Sequence, residues 1–286
     1  MSEQIKKGTV LSALMWAINE FKSTGIESFR LDAELLLSEV LSLSRVQLYI
    51  NYDRPMNMDE KEKFFAFVRR RKKREPVAYI LNRKEFMSQT FYVDRNVLIP
   101  RPETECMVEW ILKEVRLSED SKVIDIGTGS GCIAISILKN SPLSTIFASD
   151  ISEKALMVAR RNFETLCSEK RFSLIQASLL EGVDESNFDL IVSNPPYLRR
   201  WVLKNLMPEI SEFEPILALD GGESGDEIIY RLIEEAYFHI KEGGILVFEH
   251  GDDFVINKDI IHRRYEILFS GKDYSNRNRF LALRRV

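Results

Sequence analysis

The sequence predicts an α/β protein, a doubly wound and mostly parallel sheet preceded by a small helical domain. Three observations carry that prediction. Residues 1–75 repeat apolar side chains at helical spacing without strand punctuation. From Pro102 onward, helix-like and strand-like segments alternate, which calls for parallel strands joined by crossover helices. Within that alternation, Lys122–Ile126 runs into Gly127-Thr128-Gly129-Ser130-Gly131 and then into an apolar helix at 132–138.

Taken in order, Val10, Leu11, Leu14, Ile18 and Phe21 give a first helix one apolar face, and 32–43 supplies a second amphipathic stretch. Phe64, Phe65 and Phe67 belong to a third helix, which ends in the cationic run 69–74 before Pro76. Cations at a helix C-terminus interact well with its dipole, so the run reads as a solvated helix end. A contact with an acidic face of a protein partner is the second reading. Phe86, Phe91, Tyr92 and Val93 around Ser88-Gln89 suggest a short hairpin. Residues 76–100 are accordingly expected to link a helical, substrate-docking domain at 1–75 to a catalytic domain at 101–286. A helix over 103–115 follows, then strands at 122–126, 146–150, 172–177 and 188–192, with two more near 244–249 and 279–284.

Composition narrows the function. A chain of 286 residues that is 45% hydrophobic can bury a sizeable core. Its net charge of −4 argues against a dedicated nucleic-acid binder, whose phosphate contacts call for a basic surface. Cys106, Cys132 and Cys167 show no paired spacing, and a reduced compartment is expected. His239, His250 and His262 show no metal-ligand spacing, and no metal site is expected. No leader is evident, and no apolar run approaches the ~18 residues of a membrane span. The expectation is a soluble, cytoplasmic protein.

Two motifs carry chemistry. Strand, glycine loop and helix form the layout of a nucleotide crevice, with helix N–H groups facing the ligand. The spacing is Asp125-x-Gly127-x-Gly129-x-Gly131, and the dinucleotide fingerprint fails because position 132 is Cys. An oxidoreductase is disfavoured on that ground. Asp150 ends the next strand about 20 residues on, where a carboxylate can bridge two ribose hydroxyls. The second motif is Ser193-Asn194-Pro195-Pro196-Tyr197 after the apolar run at 188–192. Each proline lacks an N–H and locks φ near −65°, and the residue before each is held extended. Asn194 therefore projects from the strand end beside fixed carbonyls and a ring, an arrangement able to accept two hydrogen bonds from a planar –NH2 group. The plain alternatives are a capped strand end for Asn194 and a half-buried core ring for Tyr197.

Together these residues resemble class I S-adenosylmethionine-dependent methyltransferases that act on planar nitrogens. More of the chain is similar to the protein-(glutamine-N5) methyltransferases of peptide-chain release factors. The matching stretches are 30–37, Glu75-Pro76-Val77-Ala78-Tyr79, Ile99-Pro100-Arg101-Pro102-Glu103-Thr104-Glu105, 214–222 and 273–279. The resemblance implies a Rossmann-like domain, S-adenosyl-L-methionine as donor with S-adenosyl-L-homocysteine as product, and methylation of the glutamine in a Gly-Gly-Gln loop. It assigns the acceptor amide to Asn194, Pro195, Pro196 and Tyr197, with Asn194, Pro195 and Tyr197 catalytic. The donor falls to Asp125, Gly127, Thr128, Gly129, Ser130, Gly131, Asp150, Ser178, Leu179 and Asn194. It also implies that the turn at 100–105 helps wall the pocket.

Departures from the family pattern are Ser178 in place of the usual Asp, Asn82 in place of Gly, and His250 between Glu249 and Gly251. Ser178 implies weaker donor affinity. The expected partner is a release factor, with no direct nucleic-acid contact, no membrane, and a monomeric enzyme. The nearest rival is adenine-N6 methylation of DNA or RNA, since an exocyclic amine presents the same –NH2; such enzymes need a basic channel for a flipped base. A non-catalytic binding module is the third reading, opposed by the intact Asn194, Tyr197 and glycine loop.

Overall fold

A computed structural model describes residues 8–141, 144–168 and 171–286; the first seven residues of the predicted helical domain lie outside that range. The chain divides into two units, Met1–Asn82 and Arg83–Val286. In the first unit, helices α1 (Val10–Ser23), α2 (Phe29–Leu41), α3 (Arg45–Ile50), α4 (Met58–Lys72) and α5 (Val77–Leu81) follow one another. Val10, Leu14, Phe21, Leu36 and Phe64 form its core, at the helical spacing the sequence shows. Thr9, Ser44 and Asn57 open α1, α3 and α4 with reciprocal side-chain caps. The division falls at Asn82 rather than at 75, because Ile80 packs into this first core and carries α5 with it. Asn82 ends α5 in the left-handed conformation with φ of 52°, which Asn tolerates best after Gly.

The cationic run 69–74 differs from its sequence reading as a solvated helix end. Arg71 is buried and donates to Asp32 at 2.7 Å, and Arg70 grips both oxygens of Glu75 at 2.8 and 2.9 Å. Lys72 pairs with Glu20, and Arg74 donates to the carbonyl of Gly25. Only Arg69 and Lys73 of the run are exposed. The run ties α4 to its own unit because helical spacing points successive cations to different faces.

The second unit opens with the hairpin β1 (Lys84–Phe86) and β2 (Gln89–Phe91), turning at Met87 and Ser88, both with positive φ. Then come α6 (Pro102–Glu114), β3 (Lys122–Ile126), α7 (Cys132–Asn140), β4 (Thr145–Asp150), α8 (Glu153–Leu166), β5 (Phe172–Gln176) and β6 (Phe188–Ser193). The remaining elements are α9 (Arg200–Leu203), α10 (Pro208–Ser211), α11 (Glu227–His239), β7 (Ile240–Glu249), α12 (Lys258–Ile261), β8 (Tyr265–Lys272) and β9 (Asn278–Arg285). The seven-stranded sheet has the order β5-β4-β3-β6-β7-β9-β8, parallel up to β7 and antiparallel at β9 and β8. Each face carries its own core cluster, one including Val123, Ile135 and Phe163 and the other Ile124, Ile191 and Leu232. Adjacent residues of β3 thus serve opposite faces, as pleating requires. The sequence pattern passes over β8, an edge strand with mostly exposed side chains and a register shift between Ile267 and Phe269. No helix among the described residues is long and apolar enough to cross a membrane.

Removing one partner of a buried ion pair strands the other charge. Asp32→Ala is therefore expected to cost about 3–5 kcal/mol in denaturant unfolding, against well under 1 for an exposed carboxylate such as Asp53.

Candidate active site

Strand register builds the site. β3 pairs with β4 on one side and β6 on the other, with Ile126 opposite both Ser149 and Ser193. Three parallel strands therefore end level, and the glycine loop, Asp150 and Asn194 emerge side by side. The chain runs outward from β3 to β5 and returns at β6, so this edge is the switch point where open α/β sheets bind ligands. A cavity of about 350 Å³ lies here. Of the residues named from sequence, Gly127, Thr128, Gly129, Ser130, Asp150, Ser178, Leu179, Asn194, Pro195 and Pro196 line it. Asp125, Gly131 and Tyr197 are not on its wall.

Asp125 supports the loop from behind. It is fully buried, and its Oδ2 accepts from Thr128 Oγ1 at 2.7 Å and from the Ala134 N–H at 3.2 Å. Burial pushes its carboxyl up to about 7, opposed by those two donors. Gly129 has φ of 54°, and its N–H donates to Asp150 Oδ2 at 2.9 Å. A side chain there is strained by the left-handed backbone. Asp150 Oδ1 accepts from the Ser152 N–H at 2.9 Å; burial raises this carboxyl and the N–H groups oppose it. The loop thus orients Asp150 at one end of the cavity. Ser130, also buried, lies on the same wall with its hydroxyl beside the Cys132 thiol.

Asn194, Pro195 and Pro196 form the other end. The Asn194 side-chain amide meets Thr104 Oγ1 at 3.2 Å, and Thr104 Oγ1 donates to Glu249 Oε2 at 2.6 Å. The Tyr197 hydroxyl donates to Glu249 Oε1 at 2.9 Å. Burial raises the Tyr197 hydroxyl and the Glu249 carboxyl, with Thr104, Tyr197 and Arg279 opposing the rise at Glu249. Tyr197 lines a second cavity of about 420 Å³ with Trp201 and Arg279. Gly221 presses on the same turn, where an added Cβ would lie 2.7 Å from Tyr197 Cα and 2.9 Å from the Pro196 carbonyl oxygen.

The wall over the cavity comes from Pro100, Arg101 and Thr104 on one side and 215–218 on the other. Buried Glu214 joins the two, accepting from Arg101 Nη2 at 2.7 Å and from the Ile99 N–H at 3.3 Å. Sequence reasoning missed Glu249, Glu214 and Asn162, whose Nδ2 donates to the Ser130 carbonyl at 2.8 Å. For Glu249 a signal existed, an acid closing an apolar strand, a position where burial without a partner is costly.

Comparison with known proteins agrees with this geometry. Residues 12–81 match the family model described as PrmC N-terminal domain, and residues 103–207 match the methyltransferase small domain. A release factor glutamine methyltransferase of Geobacter sulfurreducens is 40% identical over 251 residues, covering 88% of this chain and 87% of that protein. The proteins of the same name from Rhodopirellula baltica and Leptospira interrogans are 37% and 38% identical, each covering 97% of this chain and 97% and 98% of their own. The chain belongs to the release factor glutamine methyltransferase family. As a member of that family it is an enzyme of the methyltransferase class, with the mostly parallel sheet expected of the class.

Two outcomes test the site's physics. A carboxyl raised in the folded state takes up a proton on folding between its unfolded value, about 4, and its folded one. Stability from Asp125 is thus present below about pH 4 and lost as pH rises toward 7. Unfolding of the parent and of Asp125→Asn across that window should show the parent losing on the order of a few kcal/mol relative to the variant. Gly221→Ala should lower turnover by about tenfold or more while leaving donor affinity within about twofold, because the added Cβ meets the Gly225 carbonyl oxygen at 2.5 Å and Tyr197 Cα at 2.7 Å and so displaces the Tyr197 turn or the loop beside it. Stopped-time turnover and calorimetry read the two quantities.

Proposed function

We propose that this protein transfers a methyl group from S-adenosyl-L-methionine to the side-chain nitrogen, N5, of the glutamine in the Gly-Gly-Gln loop of a peptide-chain release factor. The observation that carries the reading is one cavity with a glycine loop and Asp150 at one end and Asn194-Pro195-Pro196 at the other. Its volume, about 350 Å³, is in the range of small-molecule sites. The residues fit the donor. Asp150 is held by the N–H groups of Gly129 and Ser152, where it can take ribose hydroxyls, and Ser130 adds a hydroxyl to the wall. We assign the adenine to the part of the wall formed by Ser178 and Leu179, the latter packed against the second core cluster. Bound here, the donor supplies an electrophilic methyl on a sulfonium.

The rest of the task belongs to the protein. An amide nitrogen is a poor nucleophile because its lone pair is delocalised into the carbonyl. Asn194 Oδ1 and the Pro195 carbonyl accept the two N–H bonds of the glutamine, which orients the nitrogen toward the methyl. As the nitrogen gains positive charge those two dipoles stabilise it, so their contribution is largest in the transition state. To Tyr197, which lines the second cavity with its hydroxyl held by Glu249, we assign the covering of the amide that keeps water out. We assign docking of the factor's body to the helical unit Met1–Asn82.

Labelled donor, purified protein and a bacterial release factor provide the test. Label should enter the factor, and a Gln→Ala change in its Gly-Gly-Gln loop should abolish it. Asn194→Ala should lower kcat by about 10²-fold or more with donor affinity little changed. Label in nucleic acid instead of protein would overturn the reading in favour of adenine.

A further inference from the structure

We propose that Glu249, acting through Thr104, decides which way round the Asn194 amide stands, and that Thr104 and Glu249 are positioning residues for the transfer. This deepens the proposed reaction and rests on Asn194 being an acceptor for the substrate –NH2. The two ends of an asparagine amide are nearly the same shape. Turned one way, Asn194 offers an oxygen to the cavity; turned the other way it offers N–H groups, and the substrate amide meets donors instead of an acceptor.

Proton counting selects between them. Both oxygens of Glu249 accept from hydroxyls, Thr104 at 2.6 Å and Tyr197 at 2.9 Å, and the charge of Arg279 favours that acceptor role against the burial that raises the carboxyl. A hydroxyl has one proton, so Thr104 spends it on Glu249 and keeps only lone pairs. The Asn194 atom 3.2 Å from Thr104 Oγ1 must then be the donor nitrogen, which turns Oδ1 away from Thr104. Asn194 and Thr104 both line the cavity, and the freed oxygen is the one available there. Thr104 and Glu249 are 2% and 1% exposed, so little water competes for these positions. Arg279, which donates to Asp273 at 2.8 Å, adds positive charge near Glu249.

The fold explains why an acid from a distant strand does this. β6 and β7 run in parallel with Ser193 opposite Phe248, which places Glu249 one step on, beside Asn194. Thr104 reaches the same point from the first turn of α6. One carboxylate therefore holds both side chains of the turn, Asn194 indirectly and Tyr197 directly.

Thr104→Val keeps the shape and removes the hydroxyl, while Thr104→Ser keeps the hydroxyl. The expected result is a fall in kcat of about tenfold or more for Val, donor affinity within about twofold, and recovery by Ser to within about threefold of the parent. Because Thr104 acts through Asn194, adding Thr104→Val to Asn194→Ala should change single-turnover rates by less than about twofold. Parental kcat in Thr104→Val, or losses that multiply in the double variant, would overturn the proposal. A readout independent of turnover is a nuclear Overhauser effect from the Asn194 side-chain N–H protons to the Thr104 methyl in the folded parent. Its absence also overturns the proposal. Its presence in a protein that labels no release factor means that the substrate reading has failed and the amide orientation has held.

Discussion

The constraint on which the site depends is the parallel register of β3 with its two neighbours. Backbone hydrogen bonds set Ile126 opposite Ser149 and Ser193, and no side chain can shift one strand without breaking that ladder. A one-residue slip would reverse the faces of β3, moving Ile124 and Ile126 out of their core cluster. Burial on both faces therefore fixes the level at which the strands end. The functional groups sit just beyond those ends, where the backbone leaves the ladder and becomes free to bind.

On that platform, buried acids organise the loops. Asp125 ties the glycine loop to α7, Asp150 receives the loop's N–H, Glu214 joins the two walls, and Glu249 gathers Thr104 and Tyr197. Desolvation raises all four carboxyls, and at each one hydrogen bonds oppose the rise. Such arrangements trade stability for orientation, because an acid in a buried site is held in place by the few donors that make it tolerable. Side chains held this way are already oriented before a ligand arrives, which lowers the entropy lost on binding.

Much of the fold was legible because its signals are local. Alternation of periodicity announced the parallel sheet, the glycine loop announced the crevice, and the two prolines announced a stiff strand end. Where the reading differed, long-range pairing was the cause. The cations at 69–74 looked solvated because their partners Asp32 and Glu20 lie far away in sequence. β8 was passed over because an edge strand buries too little for a clear pattern. The unit boundary moved to Asn82 because Ile80, five residues past the expected limit of 75, packs into the core of the first unit.

By itself the sequence determined the class of the fold, the crevice, the stiff turn at the end of β6 and the family's motifs, since each depends on residues within one strand-loop-helix span. Only the tertiary structure decided how the turn is held. It brought Glu249 beside Asn194 across β6 and β7 and Thr104 to the same point from α6. It also put Tyr197 on the wall of a second cavity and Asp125 behind the glycine loop instead of on the wall of the first. These outcomes depend on the direction in which side chains leave neighbouring strands and on how many donors and acceptors meet in a space without water. Neither quantity exists until the strands are paired.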